Sequence, residues 1–279
     1  MFIYKARFLT RGEVWYDEKP NGARVDWVYY RQRSSPLANC RSNPFYTWLI
    51  DLRKTPAEMF AAMADRTARR ITEAAAEDGL RCERCDAKDN KLINEVEAMW
   101  NRFAAAHNTP PLERHWLDPI KEAGGLDLVA AKDRAGNILA YHLVFLTPKR
   151  ARQIIAISSY RAVPTVAWRT AVSRANCLIH WHNFLTFSER GIHDFDFGGW
   201  YPGTIDIRLL GINRFKKSFG GRVVREYDCD QPVTVKGWLL LTVAQILARY
   251  RNGAPPARTA SEDKNDAAQP AEHQVSPAL

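Results

Sequence analysis

The residues that could do chemistry concentrate between Phe195 and Gly221, in the segment FDFGGWYPGTIDIRLLGINRFKKSFGG. Asp196 stands between Phe195 and Phe197, so on a strand its carboxylate faces away from both rings. A carboxylate there is expensive to bury unless it is paired. Asp196 is therefore predicted to be either a site residue that contacts an acceptor or orients a donor, or a structural residue. In the structural alternative it pairs with a nearby arginine or caps the following turn.

Gly198 and Gly199 follow that strand directly. Glycine adopts positive φ at no steric cost and lets the backbone approach a ligand closely. The pair therefore predicts a ligand-binding position at the strand end, and a plain turn is the alternative.

A basic run lies further along the segment. Phe215 and Phe219 are four residues apart, so they share a helix face that we expect to dock on a sheet. Lys216 points about 100° away from Phe215, which puts it at the edge of an apolar cleft. Either Lys216 serves a site there, or it belongs to a solvated basic face with Arg214 and Lys217.

A second cationic cluster lies upstream on another predicted helix. Arg66, Arg69 and Arg70 are spaced i, i+3 and i+4, so they line one helical stripe. The guanidinium fork suits phosphate. The stripe and Arg214 therefore predict contacts to the phosphates of a nucleotide-linked acceptor or an RNA end, and a surface helix face is the alternative.

Other reactive residue types give no metal or redox prediction. His180 and His182 are two apart on different helix faces, so one helix cannot use both to chelate a metal. Cys82 and Cys85 form a C-x-x-C without a second pair, and they are expected on opposite sides of a short strand. The five scattered cysteines favour a reducing compartment.

The elements that position these residues follow from periodicity and capping. Thr55-Pro-Ala-Glu58 is typical of a helix start, and that helix is predicted to run to about Glu77. A second helix, at about Asn90–His107, is predicted to bury Leu92, Val96, Met99 and Phe103. Further helices are predicted at about Val166–Arg190, Ile205–Phe219 and Gly237–Arg251. Strands are predicted at Phe2–Leu9, Val25–Tyr30, Thr47–Leu52, Leu80–Cys85, Leu126–Lys132, Ile138–Leu146, Gln153–Tyr160, His193–Phe197 and Val223–Asp228.

Two stretches of this sequence resemble a known family. Phe195–Gly199 followed by Gly211–Gly221 resembles the FemABX pattern of D-F-G-G, a spacer, and G-I-x-x-F-K-x-x-F-G-G. The stretch RTARRITEA, from Arg66 to Ala74, resembles that family's T-R-R-x-I-R-x-A helix. The order of predicted elements over about Thr47–Asp230 also resembles the GNAT superfamily.

The resemblance implies an α/β (α+β) fold, a GNAT-type mixed sheet with flanking helices. Residues 1–45 then form a β-rich N-terminal extension, residues 46–252 a single acyltransferase domain, and residues 253–279 a tail. The tail is rich in Ala, Pro and charge, so it is predicted to be disordered. Room for one module favours relatives in secondary-metabolite, lipid or polysaccharide pathways over a cell-wall cross-bridge enzyme.

The implied activity is N-acyl or aminoacyl transfer by direct attack of an amine on a thioester or tRNA ester. No covalent enzyme intermediate, bound cofactor or metal is expected. By resemblance, Phe215 and Lys216 lie at the active site, where Lys216 stabilises negative charge on the attacked carbonyl oxygen. His142 is a candidate general base, because its strand faces the acceptor cleft in this fold; a satisfied buried histidine is the alternative.

The donor is less well specified. GNAT enzymes that use acetyl-CoA carry glycines where the third meander strand meets the next helix, so that backbone N–H groups hold the pyrophosphate. Here that stretch reads SSYRAVPTVAWRTAVS, from Ser158 to Ser173, without glycine. Ser158, Ser159 and Arg161 stand at the donor position. The stretch disfavours acetyl-CoA and favours aminoacyl-tRNA or an unusual acyl donor.

The net charge indicates which class of molecule the protein binds. The formal net charge is +9, and the segment Pro256–Leu279 holds two basic and four acidic residues, so the remaining chain carries +11. That balance favours a polyanion such as CoA, tRNA or an anionic lipid surface, although it also serves solubility.

The acceptor is expected to be an amine-bearing small molecule, lipid or saccharide. The rival hypothesis is a non-catalytic GNAT-like module that binds RNA or an anionic glycolipid. No membrane span and a cytoplasmic location are expected.

Overall fold

A computed structural model describes residues 1–252, apart from residues 7, 77, 108 and 160–164. This part of the chain contains ten strands and seven helices. The strands are β1 (Phe2–Ala6), β2 (Leu9–Trp15), β3 (Trp27–Arg33), β4 (Arg41–Asp51), β5 (Arg81–Cys85), β6 (Leu126–Lys132), β7 (Ile138–Leu146), β8 (Arg150–Ser158), β9 (Asp194–Gly199) and β10 (Arg222–Pro232). The helices are α1 (Pro56–Ala61), α2 (Asp65–Ala76), α3 (Asn90–His107), α4 (Arg114–Glu122), α5 (Val166–Glu189), α6 (Ile207–Lys217) and α7 (Val235–Asn252).

All ten strands join one mixed sheet in the order β1-β2-β3-β10-β4-β9-β8-β7-β6-β5. β2 pairs with β3 and β8 pairs with β9 in parallel, and the other neighbours are antiparallel. Residues 1–45 therefore add three strands to the edge of the sheet, and β4 crosses the predicted boundary at residue 45.

Helices cover both faces of the sheet, which explains why its central strands are apolar on both sides. On one face α1, α2 and α5 pack on residues such as Val129, Ala131 and Phe195. On the other face α3 and α4 pack on Leu128, Ala130 and their neighbours. Cys82 contacts the first cluster and Cys85 the second, so these cysteines lie on opposite sides of β5 as predicted.

β8 and β9 separate soon after they pair. Their parallel register runs only from Arg150–Asp194 to Arg152–Asp196. Beyond that point β8 continues to Ser158 and β9 to Gly199. β8 and β9 are therefore neighbours in the sheet that share only a short paired stretch.

Several predicted elements were wrong in detail. The single helix predicted from Thr55 to Glu77 is two helices, although the Thr55–Glu58 capping box at its start is present. The break follows from a tertiary contact, since the Ala64 N–H donates to the carbonyl of Ser218 at 2.9 Å instead of continuing the helix. β2 and α4 were not predicted, and β8 begins three residues before the predicted Gln153.

The predicted face of α3 is confirmed for Val96, which is buried, and for Leu92 and Met99, which pack against the same cluster. Phe103 is the exception, since it is 37% exposed. Phe103 instead stacks on His107, with ring centroids 4.1 Å apart. The predicted tail, 253–279, lies outside the described residues. Within the described ranges, no helix combines the length and apolarity needed to span a bilayer.

Candidate active site

Lys216 lies in the last turn of α6, where the helix meets the end of β9. Its side chain is buried, with 9% of the residue exposed. Its Nζ donates to the carbonyl of Gly198 at 3.1 Å and to that of Gly199 at 2.5 Å. Gly198 adopts a φ of 73°, which turns these carbonyls toward the helix. The strand end and the ammonium group therefore fix each other.

Phe215 and Phe219 contact each other as predicted, with ring centroids 5.2 Å apart, and Phe215 also contacts the buried His180, although Phe215 is 37% exposed. Asn213 and Lys216 are the buried residues of the helix itself. Phe219, just past the helix end, is buried as predicted. Asn213 is buried because the backbone beyond β9 has polar groups that need partners. Its side chain accepts the Tyr201 N–H and donates to the Tyr201 carbonyl. Arg214 is exposed, so the basic face does not include Lys216.

Asp196 is fully buried on the face of β9 opposite to Phe195 and Phe197. Its Oδ1 accepts the Gly198 N–H at 2.7 Å and the Thr47 hydroxyl, and Thr47 Oγ1 also lies 3.0 Å from the Gly198 carbonyl oxygen. Its Oδ2 lies 3.1 Å from Arg152 Nη1. The carboxylate thus caps the turn and pairs with arginine, as the structural alternative for Asp196 stated, while it shapes the glycine turn that Lys216 contacts.

The network extends beyond Asp196 through residues that sequence reasoning missed. Gln32 Nε2 donates to Asp196 Oδ2 and to Glu226 Oε2, each at 2.8 Å. Arg150 Nη1 lies 2.7 Å from Glu226 Oε1 and 3.6 Å from Asp196 Oδ2. Arg150 and Arg152 flank the small residue Ala151 on β8. That alternation was the available signal, and it was missed because the strand was predicted to begin only at Gln153.

Burial and these charges shift the pKa values in different directions. Burial alone would raise the pKa of Asp196, but Arg152, Arg150 and its hydrogen bonds hold that pKa below the ordinary value. Burial raises the pKa of Glu226, against the attraction of Arg150. Burial lowers the pKa of Lys216 to about 8; attraction to Asp196 opposes the shift and repulsion from Arg152 adds to it. Lys216 is thus charged at neutral pH and close to titration.

His142 lies in the core between β7 and α5. Its ring is fully buried, and its centroid is 4.4 Å from that of His180. Burial lowers the pKa of His142 to about 3, and that of His180 well below the ordinary value. The general-base role of His142 stays a prediction, against which this burial counts.

The arginine stripe lies on α2. Arg66 and Arg69 are exposed, Arg69 lies 3.7 Å from Glu73, and Arg70 is half-buried. Thr67 on the same helix donates to the Ser218 hydroxyl at 2.8 Å, so α2 adjoins the C-terminal end of α6. The phosphate-binding role of the stripe and of Arg214 stays a prediction.

The predicted donor residues lie at the end of β8. Ser159 Oγ donates to the Leu139 carbonyl at 3.0 Å, and the Ser159 carbonyl accepts Trp168 Nε1 of α5 at 2.9 Å. Ser158 is the last residue of β8, and Arg161 lies outside the described residues. Thr165 caps the N-terminus of α5 by accepting the Trp168 N–H.

Comparison with solved structures identifies the fold. The crystal structure of FemX aligns with a TM-score of 0.54 at 14% identity, over 70% of this chain and 63% of that one. The C-terminal domain (DUF2156) of a putative lysylphosphatidylglycerol synthetase from Agrobacterium fabrum aligns with a TM-score of 0.50 at 18% identity, over 79% and 72%. The chain has the FemX fold. The predicted α+β fold, a mixed sheet with flanking helices, is thereby confirmed.

The sequence comparisons found no match for this chain. No protein-family model matches it, and no curated protein sequence matches it. The alignment spans less than two thirds of the FemX chain. The FemX likeness therefore carries the fold, and activity has to be argued from the site.

Proposed function

We propose that this protein is an acyltransferase that moves an acyl or aminoacyl group from an activated donor to an amine. The observation that carries the proposal is the buried Lys216 ammonium group at the glycine end of β9. The two similar structures support it, since one is FemX and the other belongs to a putative lysylphosphatidylglycerol synthetase.

The geometry of Lys216 suits the stabilisation of a developing oxyanion. An ammonium group has three N–H donors, and the carbonyls of Gly198 and Gly199 accept two of them. The third N–H can donate to the carbonyl oxygen of a bound donor. Because Lys216 is buried, its charge is poorly screened and acts strongly on a nearby oxygen. One such preorganised donor contributes about 3 kcal/mol to a transition state.

In the proposed reaction the amine nitrogen attacks the carbonyl carbon of the donor. The new C–N bond forms, and the carbonyl oxygen gains the negative charge that Lys216 stabilises. Collapse of this intermediate breaks the C–S or C–O bond and releases a thiol or a tRNA hydroxyl. The amine loses one proton in the process, and the leaving group takes one up.

The donor is proposed to be aminoacyl-tRNA or an acyl-CoA. In support, Thr165 caps the N-terminus of α5, the helix that follows β8 in the chain, and helix N-termini favour phosphate. The glycine-free stretch from Ser158 to Ser173 favours aminoacyl-tRNA over acetyl-CoA. The acceptor is proposed to be a small molecule, lipid or saccharide that bears an amine.

The test is single-turnover transfer by the purified protein with a panel of acetyl-CoA, long-chain acyl-CoA and aminoacyl-tRNA. With the donor that turns over, Lys216→Met is expected to lower the rate by about 10²- to 10³-fold. Lys217→Met, the exposed neighbouring lysine, is the matched control and is expected to change it less than twofold. Equal rates for both variants would contradict the oxyanion role. Tight RNA binding without turnover of any donor would favour the non-catalytic module.

A further inference from the structure

The helix α7 exposes large apolar side chains along much of its length. Gly237, in its first turn, is buried, and a Cβ there would overlap the carbonyl oxygen of Asp26. Successive residues of a helix are about 100° apart, so the exposed apolar residues fall on one half of the helix and Gly237 on the other. Each of these apolar residues is between 46% and 57% exposed: Trp238, Leu239, Val243, Ile246 and Leu247.

The apolar surface continues onto the turn between β1 and β2. Phe8 in that turn is 80% exposed. Lys236 Nζ donates to the Phe8 carbonyl, so Phe8 lies beside the first turn of α7. Phe8 and the five exposed residues of α7 together form what we call the α7 surface. Soluble monomers rarely expose so many neighbouring large apolar side chains unless the patch binds a protein or a membrane.

The charges on this segment are basic. The stretch Val233–Asn252 contains Lys236, Arg249 and Arg251 and no acidic residue. Asp26 lies 3.8 Å from Lys236 Nζ, so three positive charges and one negative charge leave a net +2. A helix with an exposed apolar face, basic residues and few acidic ones is typical of helices that lie in the headgroup region of anionic bilayers. Tryptophan also favours that region.

Other occupants of the α7 surface fit these observations less well. The rest of the chain, residues 253–279, has only Val275 and Leu279 as large aliphatic residues, too few to cover six large side chains. A symmetric contact with a second copy brings the same basic segment against itself, which like charges oppose. RNA would attract the bases but offers nothing to Leu239, Val243 and Ile246. An anionic bilayer satisfies both the apolar and the basic residues.

We propose that the α7 surface docks this protein on an anionic lipid bilayer. The helix lies in the plane of the headgroups, its apolar side chains enter the acyl boundary, and the basic residues face lipid phosphates. It lies on the membrane and does not cross it, in agreement with the length and apolarity of the described helices. The proposal goes beyond the transferase activity and does not depend on it, because Lys216 and Asp196 are not part of this surface.

The test is co-sedimentation of the full chain with lipid vesicles. One set consists of phosphatidylcholine, and the other contains about 30% phosphatidylglycerol as the anionic lipid. The protein is expected to bind the anionic vesicles about tenfold more tightly or better, because each basic residue near the surface adds to the attraction. Added salt should weaken this binding, since it screens the charges.

Two pairs of substitutions separate the apolar and the basic contributions. Leu239→Gln with Leu247→Gln keeps the charge and is expected to weaken binding about tenfold. Phe103→Gln, at an exposed apolar residue of α3, is its control and should change binding less than twofold. Arg249→Gln with Arg251→Gln is expected to weaken binding to anionic vesicles about tenfold. Lys88→Gln with Lys91→Gln removes the same charge from an exposed site elsewhere and should have little effect.

Three results would overturn the proposal. The first is no binding at about 1 mM lipid, tenfold above the half-saturation of a single acyl anchor. The second is equal binding to neutral and anionic vesicles, or binding that neither α7 pair weakens. The third is a dimer in sedimentation velocity that the leucine pair makes monomeric, which would assign the α7 surface to a contact between copies.

The docking surface and the transferase fail separately. Vesicle binding that depends on α7, with no transfer from any donor, would refute the transferase and keep the docking surface. Lys216-dependent transfer by a protein that binds no vesicles would do the reverse.

Discussion

Lys216 carries a positive charge in a buried site, where burial destabilises the ammonium form. Its pKa falls to about 8 because burial disfavours the ammonium form more strongly than Asp196 favours it. An active-site group with a strongly perturbed pKa is more common than a structural one. The same shift makes Lys216 measurable through folding stability.

The stability contributed by Lys216 should depend on pH with a definite sign. Between about 8 and the ordinary value of 10.5, the unfolded chain holds a proton on Lys216 that the folded chain has lost. The free energy of unfolding therefore rises with pH in this window, by about 3 kcal/mol in total. This rise is measured by urea unfolding of the wild type and of Lys216→Met at pH 7 to 10.5. The difference between their free energies of unfolding isolates Lys216, because the other titrating groups contribute equally to both proteins. A difference that stays flat with pH would mean that the Lys216 pKa is not lowered.

At the level of residues, the motif alone identified Lys216, Asp196 and the glycine pair, because they are contiguous with aromatic residues of strong periodicity. Their partners could not be found in that way. Gln32, Thr47 and Arg152 reach Asp196 from distant parts of the chain, and no local spacing links them. Spacing predicted the contact between Phe215 and Phe219, but apolar periodicity could not predict the burial of Asn213, which depends on its hydrogen bonds to the Tyr201 backbone.

Among the elements, the turn between α6 and β10 places the site helix against β4. Gly221 has a φ of 91°, and a Cβ there would overlap the Leu49 carbonyl oxygen and lie 2.9 Å from Trp48 Nε1. Both the conformation and the contact demand glycine. The glycines that end the motif thus fix where α6 lies.

Gly221→Ala is expected to lower the free energy of unfolding by more than about 3 kcal/mol, from strain and overlap together. Gly136→Ala is the matched control, because Gly136 has a φ of 87° but open space around its Cβ position. The free energy of unfolding of Gly136→Ala should fall by only about 1–2 kcal/mol, the cost of the left-handed conformation. Equal losses in urea unfolding would show that the contact with Leu49 is unimportant.

Element types were predictable where periodicity and capping agree, as in α3, α5 and the β6–β7 hairpin. Prediction failed where a tertiary contact overrode them. The break between α1 and α2 depends on the Ser218 carbonyl, and α4 contains Pro119, which reads as a helix breaker. β2 carries Arg11 and Glu13, so its burial depends on pairing with residues elsewhere.

In the whole molecule, the N-terminal strands share one polar network with the site strand. Gln32 from β3 bridges Asp196 of β9 and Glu226 of β10, and it is 2% exposed. The candidate site therefore includes a contact from the N-terminal part of the chain.

Gln32→Met is expected to lower the free energy of unfolding by about 2–3 kcal/mol, because two buried carboxylates each lose a donor. Gln231→Met is the control, since its side chain accepts one bond, from the Tyr30 hydroxyl, and is partly exposed. The free energy of unfolding of Gln231→Met should fall by about 1 kcal/mol. The midpoint of urea unfolding for each variant measures the loss, and a Gln32 variant as stable as wild type would refute the bridging role.

The transferase proposal depends most directly on the charge of Lys216, which a pH–rate profile reports. The measurement uses the active donor and an acceptor amine with a pKa below about 7, so that the nucleophile stays neutral. The wild-type single-turnover rate should fall about tenfold per pH unit above a pKa near 8, as Lys216 loses its proton. Lys216→Arg, which stays protonated, should remove that fall in whatever activity it retains. A wild-type rate that remains constant to pH 10 would contradict the account.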